Sequence, residues 1–272
     1  MNPSSRAVIQ ALRIAPEPDD DAVYRSSIHI GCASWSIPAL HGTLLEGTGS
    51  HLERYASVFD TAEINSSFHR SHQQKTYARW AASVPEHFTF TVKMPKEITH
   101  IHKLVDCEKA LTQFLDETSG LGQKLAVVLI QLPPKLHLDS SRATDFFAMF
   151  RSQYSGLAAC EPRHADWFSP EGDSLLRSFQ LARVAADPAP RALNGIAFVA
   201  QPGGWDGFRY FRLHGSPQMY ASSYSAEFLQ EIACQLAQGS GQEKTPAWCI
   251  FDNTSRGAAI PNALDLMRLV QA

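Results

Sequence analysis

The sequence predicts an α/β fold, and within that class a TIM-type (β/α)8 barrel forming a single domain with an N-terminal extension. Short apolar runs rich in Val, Ile, Phe and Tyr alternate with helical patterns along the chain. That alternation is typical of parallel strands buried under helices. The length of 272 residues also suits one barrel, because such barrels routinely occupy about 250 residues.

The apolar runs each stop at a polar or ionisable residue, as FTFTVK does at Lys93 and LAVVLIQ at Gln131. The carboxyl ends of parallel strands carry the chemistry in such folds, so the pattern predicts where an active site lies. An open doubly wound sheet is the competing fold, but the first run leads into GCASWS instead of GxGxxG. The predicted strands are 28–34, 58–64, 88–93, 125–131, 157–162, 181–186, 208–213 and 247–252.

Helical patterns follow most of these runs, with apolar residues three or four positions apart. Tyr77 and Trp80 mark the first of them. The connection from Asp187 to Gly207 is long and rich in Pro and Gly, and its IAFVA run is a candidate extra strand. The predicted helices are 71–83, 108–118, 141–150, 175–179, 226–236 and 263–270.

The amino terminus reads as a flexible extension over residues 1–26, with the barrel domain over 27–272. Pro16, Pro18 and the acidic run from Asp19 to Asp21 are typical of a linker. The apolar patch before them is interrupted by Gln10 and Arg13, and a small-residue cleavage site is missing, so it is not a convincing signal peptide.

Composition argues against several classes of partner. The net charge of -3 and the lack of a Lys/Arg cluster predict no binding to nucleic acid. No apolar stretch is long enough to predict a membrane span. Five scattered cysteines without a CxxC pair indicate reduced thiols and hence a cytoplasmic protein. The oligomeric state is not predicted.

An ordered set of motifs gives the chain a family resemblance. The segments GCASWS, AEINSSFHR, FTFTVKMPKEITH, KLAVVLIQLPP, EPRHADW, FRLHGS and FDNTSRGAAIPNAL resemble the YecE-like family catalogued as domain of unknown function 72. The resemblance runs from about residue 28 to the carboxyl terminus and implies a TIM-type barrel, but no activity. The chain departs from the usual family pattern at several positions: Cys32 and Ala33, His69, Pro162, and Asp252 where Asn is usual.

Residues two apart on a strand share a face, which predicts same-side polar pairs at three strand ends. These pairs are Glu63 with Asn65, Glu161 with Arg163, and Arg212 with His214. Together with Lys93 and Gln131 they would form one mouth with carboxylates, cations and an imidazole. An alternative is an ion-pair lattice in which buried Glu and Arg neutralise each other.

The turns after the seventh and eighth strands predict an anion-binding corner. Many barrels bind phosphate there, through backbone amides, hydroxyls and a helix start. The candidate residues are Gly215, Ser216, Asn253, Thr254 and Arg256. A helix-capping role is the alternative for Asn253.

No cofactor is implied by the sequence, and a divalent metal ion stays an alternative. His100 and His102 form an HxH pattern in a loop, where polarity alone explains them. A wider oxygen-and-imidazole site would draw on Glu63, Glu161, His164 and His214. The cations expected in the same mouth favour an anionic ligand over a metal.

The leading functional hypothesis is therefore an enzyme that uses general acid–base chemistry on a small anionic metabolite, such as a phosphate ester. A metal-dependent hydrolase or isomerase and a non-catalytic ligand-binding or scaffold barrel are the alternatives. The predicted catalytic residues are Glu161, His214, Glu63 and Lys93; the predicted substrate-binding residues are Asn65, Gln131, Arg163, His164, Arg212, Gly215, Ser216, Asn253, Thr254 and Arg256, with Trp35 and Tyr224 as stacking candidates.

Overall fold

The structure is a computed structural model, and it describes residues 28–190, 193, 201–237 and 245–271. The predicted N-terminal extension and the IAFVA run therefore lie outside the described residues. In the part that is described, no helix has the length and apolar character needed to cross a membrane. All five cysteines carry free thiols, and only Cys234 is exposed.

Within the described residues, ten strands form two sheets whose strands are parallel except at one edge. One sheet has the order β1-β10-β9-β7 and the other β2-β3-β4-β5-β6-β8. Only β8 pairs antiparallel, against β6. The strands are β1 (Ile28–Cys32), β2 (Thr61–Ile64), β3 (Thr89–Lys93), β4 (Leu125–Gln131), β5 (Leu157–Glu161), β6 (Leu181–Arg183), β7 (Ala185–Asp187), β8 (Gly203–Gly204), β9 (Arg209–Leu213) and β10 (Ala247–Phe251).

The two sheets approach each other at both ends. On one side Ala33 and Glu63 form a parallel bridge, and the amide of Ser34 donates to the carbonyl of Glu63 at 2.9 Å. On the other side only Val184 separates β6, which pairs with β5, from β7, which pairs with β9. The structure thus shows a mixed α/β fold with parallel sheets, and closure into an eight-stranded barrel stays a prediction.

Seven α-helices lie within the described residues, and six of them match predicted ones. The first, after β1, was missed because its six residues are too few to show a helical period. It begins at a capping box in which Ser50 and Glu53 bond each other's backbone amides. The helices are α1 (His51–Ala56), α2 (Gln74–Ala82), α3 (Glu108–Thr118), α4 (Ser140–Gln153), α5 (Pro170–Ser178), α6 (Ala226–Ala237) and α7 (Ala259–Gln271).

Two separate apolar clusters explain why the strands look continuously hydrophobic. The larger cluster packs helices onto the outer faces of the sheets, and includes Phe147 and Leu266. The smaller one joins side chains from both sheets, among them Leu129 from β4, Tyr210 from β9 and Ile250 from β10. Strands covered on both faces read as unbroken apolar runs, and the smaller cluster supports the polar site above it.

Candidate functional site

A buried polar network lies at the carboxyl ends of the strands, where the sequence predicted it. Glu63, Glu161, Arg212 and His214 are buried with at most 1% of their surface exposed. They come from β2, β5, β9 and the residue after β9. The period-two alternation of these strands aims the four side chains inward, so the network joins one sheet to the other.

Arg212 is the centre of the network. Its Nη2 lies 2.6 Å from Oε1 of Glu63, its Nη1 lies 3.1 Å from Oε2 of Glu161, and its Nη2 also lies 3.0 Å from Oδ2 of Asp252. Burial alone would lower the pKa of the guanidinium, but the three carboxylates hold it well above its ordinary value. Arg212 therefore carries its charge permanently and fixes the carboxylates around it.

Glu161 accepts hydrogen bonds from several side chains. Its Oε1 lies 2.8 Å from Nε2 of His214, 3.0 Å from Nε2 of Gln131 and 3.3 Å from Nη1 of Arg163. Burial raises the pKa of this carboxyl, yet His214 and Arg212 together bring it well below the ordinary value. Glu161 is thus an ionised acceptor that holds its neighbours in place, and a weak base.

His214 lies between two carboxylates, one of which the sequence prediction left out. Its Nδ1 is 3.0 Å from Oδ2 of Asp252, and its Nε2 faces Glu161. Each ring nitrogen therefore faces a carboxylate oxygen. Burial would raise the pKa of Asp252, but Arg212 and the bond from His214 leave it below its ordinary value.

Below the ionic network, a buried tyrosine forms a hydrogen bond with Glu63. The hydroxyl of Tyr210 donates to Oε2 of Glu63 at 3.1 Å, and Oγ1 of Thr91 lies 2.8 Å from the same hydroxyl. Burial, followed by the charge of Glu63, keeps the pKa of Tyr210 well above its ordinary value. The tyrosine is therefore a neutral donor below the ionic layer.

Lys93 stands apart from the ion pairs. Its Nζ lies 4.1 Å from the centre of the Phe68 ring, and no carboxylate oxygen of a described residue lies within 4.0 Å of it. Burial first, and then the charge of Arg212, lower the pKa of this amine from 10.5 to about 8. The hydroxyl of Ser67 donates to the carbonyl of Lys93 at 2.6 Å, so the turn that carries Phe68 is fastened to the end of β3.

Two further predicted residues differ in what they offer a ligand. Oδ1 of Asn65 is buried and has no hydrogen-bond partner among the described residues, so this acceptor at the end of β2 is unsatisfied. Arg163 is 12% exposed at its side chain and contacts Glu161 with only one nitrogen in the described structure. A guanidinium has five N–H donors, so Arg163 retains donors that can face the mouth.

The predicted anion-binding corner is largely occupied by the protein's own contacts. The amide of Gly215 donates to the hydroxyl of Tyr224 at 2.7 Å. Nδ2 of Asn253 donates to the carbonyl of Ser222 and to Oδ1 of Asn262, both at 2.9 Å. These bonds tie the two turns together. Thr254 and Arg256 are exposed, and Ser216 is half-buried.

Three other predicted residues have packing roles or lie apart from the network. Trp35 packs edge-on against Trp80 and Phe90, with ring centres 5.1 and 6.0 Å away. Tyr224 is buried, stacks on a neighbouring ring and donates to Oδ2 of Asp187 at 2.8 Å. The ring centre of His164 lies 3.8 Å from that of His137. In sequence, His164 follows Glu161 and Pro162.

The wider metal site considered from the sequence is not assembled. Arg212 occupies the position between Glu63, Glu161 and Asp252 that an ion would need. The guanidinium already supplies the positive charge there, so these carboxylates do not form an open coordination sphere. His100 donates or accepts at Oγ1 of Thr99, 2.9 Å away, and packs against Phe68.

Two known proteins, both named as UPF0759 proteins, are similar to this chain in sequence. YunF of Bacillus subtilis is 26% identical over 278 aligned residues, covering 89% of this chain and 94% of YunF. YecE of Escherichia coli K12 is 29% identical over 106 residues, so the chain spans only 38% of the length of this relative, and 39% of this chain is aligned.

Two solved structures share the fold. A DUF72 family protein from Enterococcus faecalis is similar with a TM-score of 0.75 and 21% identity, covering 90% of this chain and 96% of that one. Another from Thermotoga maritima gives a TM-score of 0.72 at 21% identity, covering 90% and 99%. The family model described as "Protein of unknown function DUF72" matches residues 29–272, and the chain therefore belongs to the DUF72 family.

Proposed function

We propose that this protein is an enzyme that binds a small anionic substrate, such as a phosphate ester, at the strand ends and moves a proton with the amine of Lys93. The single observation that carries the proposal is the local environment of the Lys93 amine. Its amine is buried over Phe68, has a pKa lowered to about 8, and forms no salt bridge with a described residue. A base or acid works best when its pKa is near the operating pH.

An anion is the ligand that completes this mouth. Arg163 has donors left over beyond its contact with Glu161, and Lys93 makes no salt bridge within the described structure, although the charges of Glu161, Glu63 and Asp252 act on its amine. Oδ1 of Asn65 adds an unpartnered acceptor for a hydroxyl of the same substrate. An anion placed between the two cations would be held by charge-assisted hydrogen bonds.

The network of Arg212, Glu63, Glu161, His214 and Asp252 acts in this proposal as a preorganised support. Its members are buried and bonded to one another at 2.6–3.1 Å. Such a layer fixes the positions of charges before the substrate arrives, which is how active sites stabilise charge that develops in a reaction. Glu161 and His214 then hold Arg163 and the other residues of the mouth in position, and Lys93 exchanges the proton with the substrate.

Binding of inorganic phosphate tests the anion site. We expect Lys93→Met and Arg163→Met each to weaken binding about tenfold or more in isothermal titration calorimetry, as expected when a charge-assisted bond is lost. Lys75→Met is the matched control, because Lys75 is exposed on α2. Equal phosphate affinity in all three variants and the original protein would overturn the anion site.

Turnover then separates an enzyme from a binding protein. A panel of phosphorylated and carboxylated metabolites is incubated with the protein and followed by proton NMR. A metabolite that is converted identifies the substrate. Lys93→Arg keeps the charge but loses the lowered pKa, so we expect binding to survive and kcat to fall by about 10²–10⁴-fold. Binding with no product for any panel member would favour the non-catalytic ligand-binding alternative.

We also propose that residues 27–272 form one domain whose two sheets close into an eight-stranded barrel. The bridge between Ala33 and Glu63 and the single residue Val184 between β6 and β7 support this closure. The apolar cluster shared by both sheets is what a barrel interior contains. A crystal structure in which β1 and β2 are splayed apart would refute it.

A further inference from the structure

Beside the mouth, the βα turns after β4 and β5 bring together two imidazoles and a carboxylate. The side chains belong to His137, His164 and Asp166, and one ligand atom from each lies within 4.8 Å of the other two. None of them takes part in the network around Arg212. We propose that these three residues form a binding site for a divalent transition-metal ion of the Zn²⁺ type.

The spacing of the donor atoms fits such an ion. Nδ1 of His137 lies 2.9 Å from Oδ2 of Asp166, and Nδ1 of His164 lies 3.3 Å from the same oxygen. Ligands at about 2.0–2.1 Å in a tetrahedral site are separated from one another by about 3.3 Å. Small side-chain rotations therefore suffice to place an ion between the three atoms.

The chemistry of the donor set points the same way. The rings of His137 and His164 have centres only 3.8 Å apart, so the two imidazoles lie side by side at the cluster. The amide of Asp166 donates to Nδ1 of His164 at 3.3 Å, a bond that an ion coordinated by this nitrogen would replace. Two imidazoles and one carboxylate suit Zn²⁺ and its neighbours better than Mg²⁺ or Ca²⁺.

The site leaves room for a fourth ligand. The side chain of His137 is 71% exposed and that of Asp166 is 46% exposed. Three protein ligands with an open position are the arrangement in which zinc holds water or a substrate group. An exposed three-ligand site binds its metal reversibly, so the ion at this rim is an exchangeable one.

Titration of the tag-free full chain with ZnCl₂, followed by calorimetry, tests the site. We expect one Zn²⁺ per chain, and about tenfold or greater weakening in His137→Ala and in Asp166→Asn. His87→Ala is the control, since this histidine is exposed and outside the cluster. All proteins carry Cys234→Ser, because this exposed thiol is a competing ligand.

Two results would overturn the site. One is equal Zn²⁺ affinity in the original protein, His137→Ala and Asp166→Asn. The other is no binding at millimolar Zn²⁺. Cobalt gives an independent measurement: tetrahedral Co²⁺ produces strong visible absorption, and we expect it in the original protein and His87→Ala but not in His137→Ala. His137 is exposed and bonds only at the cluster in the described structure, so the variant keeps its fold, which circular dichroism checks.

Discussion

Replacement of Lys93 by methionine is expected to stabilise the protein while weakening phosphate binding. The folded protein lowers the pKa of Lys93 from 10.5 to about 8, chiefly by burial. At about 1.4 kcal/mol for each tenfold change in proton affinity, that difference of about 2.5 corresponds to about 3 kcal/mol. The unfolded chain binds the proton more tightly, so below pH 8 the charged amine costs the fold roughly this amount.

The stability gained in Lys93→Met depends on pH, and the direction of that dependence follows from the lowered pKa. Stability rises with pH wherever the unfolded state holds more protons, which for Lys93 is the interval from about 8 to 10.5. The advantage of Lys93→Met should therefore be full at pH 7, fall through this interval and vanish above it. Methionine has nearly the volume of the lysine stem and no charge, so packing over Phe68 is kept.

Urea denaturation at pH 7 and at pH 10.5 measures the effect through the free energy of unfolding. Lys75→Met, on the exposed face of α2, should match the original protein at both pH values. A destabilised Lys93→Met at pH 7 would refute the reasoning, because it would mean that the surroundings favour the charged amine.

Three other substitutions test contacts that support the site, through the free energy of unfolding measured by urea denaturation at pH 7. Arg212→Met should cost about 3–5 kcal/mol, since it leaves buried carboxylates without their cation; a loss below about 1 kcal/mol would contradict this. Tyr224→Phe should cost about 1–3 kcal/mol through the lost bond to Asp187, and no loss would exclude that bond. Gly31→Ala should cost about 2 kcal/mol or more, because its methyl group would collide with the carbonyl of Thr61; an unchanged midpoint would show that β1 can shift.

The strand pattern and its period of two could be predicted from the sequence with useful accuracy. Lys93 and Gln131 end β3 and β4 as predicted, because a strand buried on both faces needs an unbroken apolar run and the first polar residue marks its end. Parity likewise predicted that Arg163 lies on the same side as Glu161, which it contacts at 3.3 Å, since side chains two apart share a face. Local rules were sufficient for these features.

Contacts across the two sheets could not be predicted in the same way. Asp252 follows β10 and pairs with Arg212 and His214, and its signal was the polar stop of the WCIFDN run. The prediction left it out because nothing local says which neighbouring strand end it faces. His164, three residues after Glu161, was also predicted to bind substrate, but it lies against His137 and does not enter the network.

The roles of the loop residues were predicted least well, because their hydrogen-bond donors are used in contacts within the protein. Gly215 and Asn253 had the residue types of a phosphate-binding corner, but their groups bond Tyr224, Ser222 and Asn262. Composition gives the donors of a turn and leaves their partners open, since those depend on the turn opposite. Only the assembled structure shows that Lys93 makes no salt bridge in the described part of the chain.

Direct titration of the Lys93 amine by carbon-13 NMR, with and without inorganic phosphate, tests the central claim most directly. Its resonance is assigned by its absence from the spectrum of Lys93→Arg. The account predicts a midpoint near pH 8 that moves upward when phosphate binds, because a nearby anion favours the charged amine. A midpoint near the ordinary value of 10.5, or one that phosphate leaves unchanged, would contradict the account.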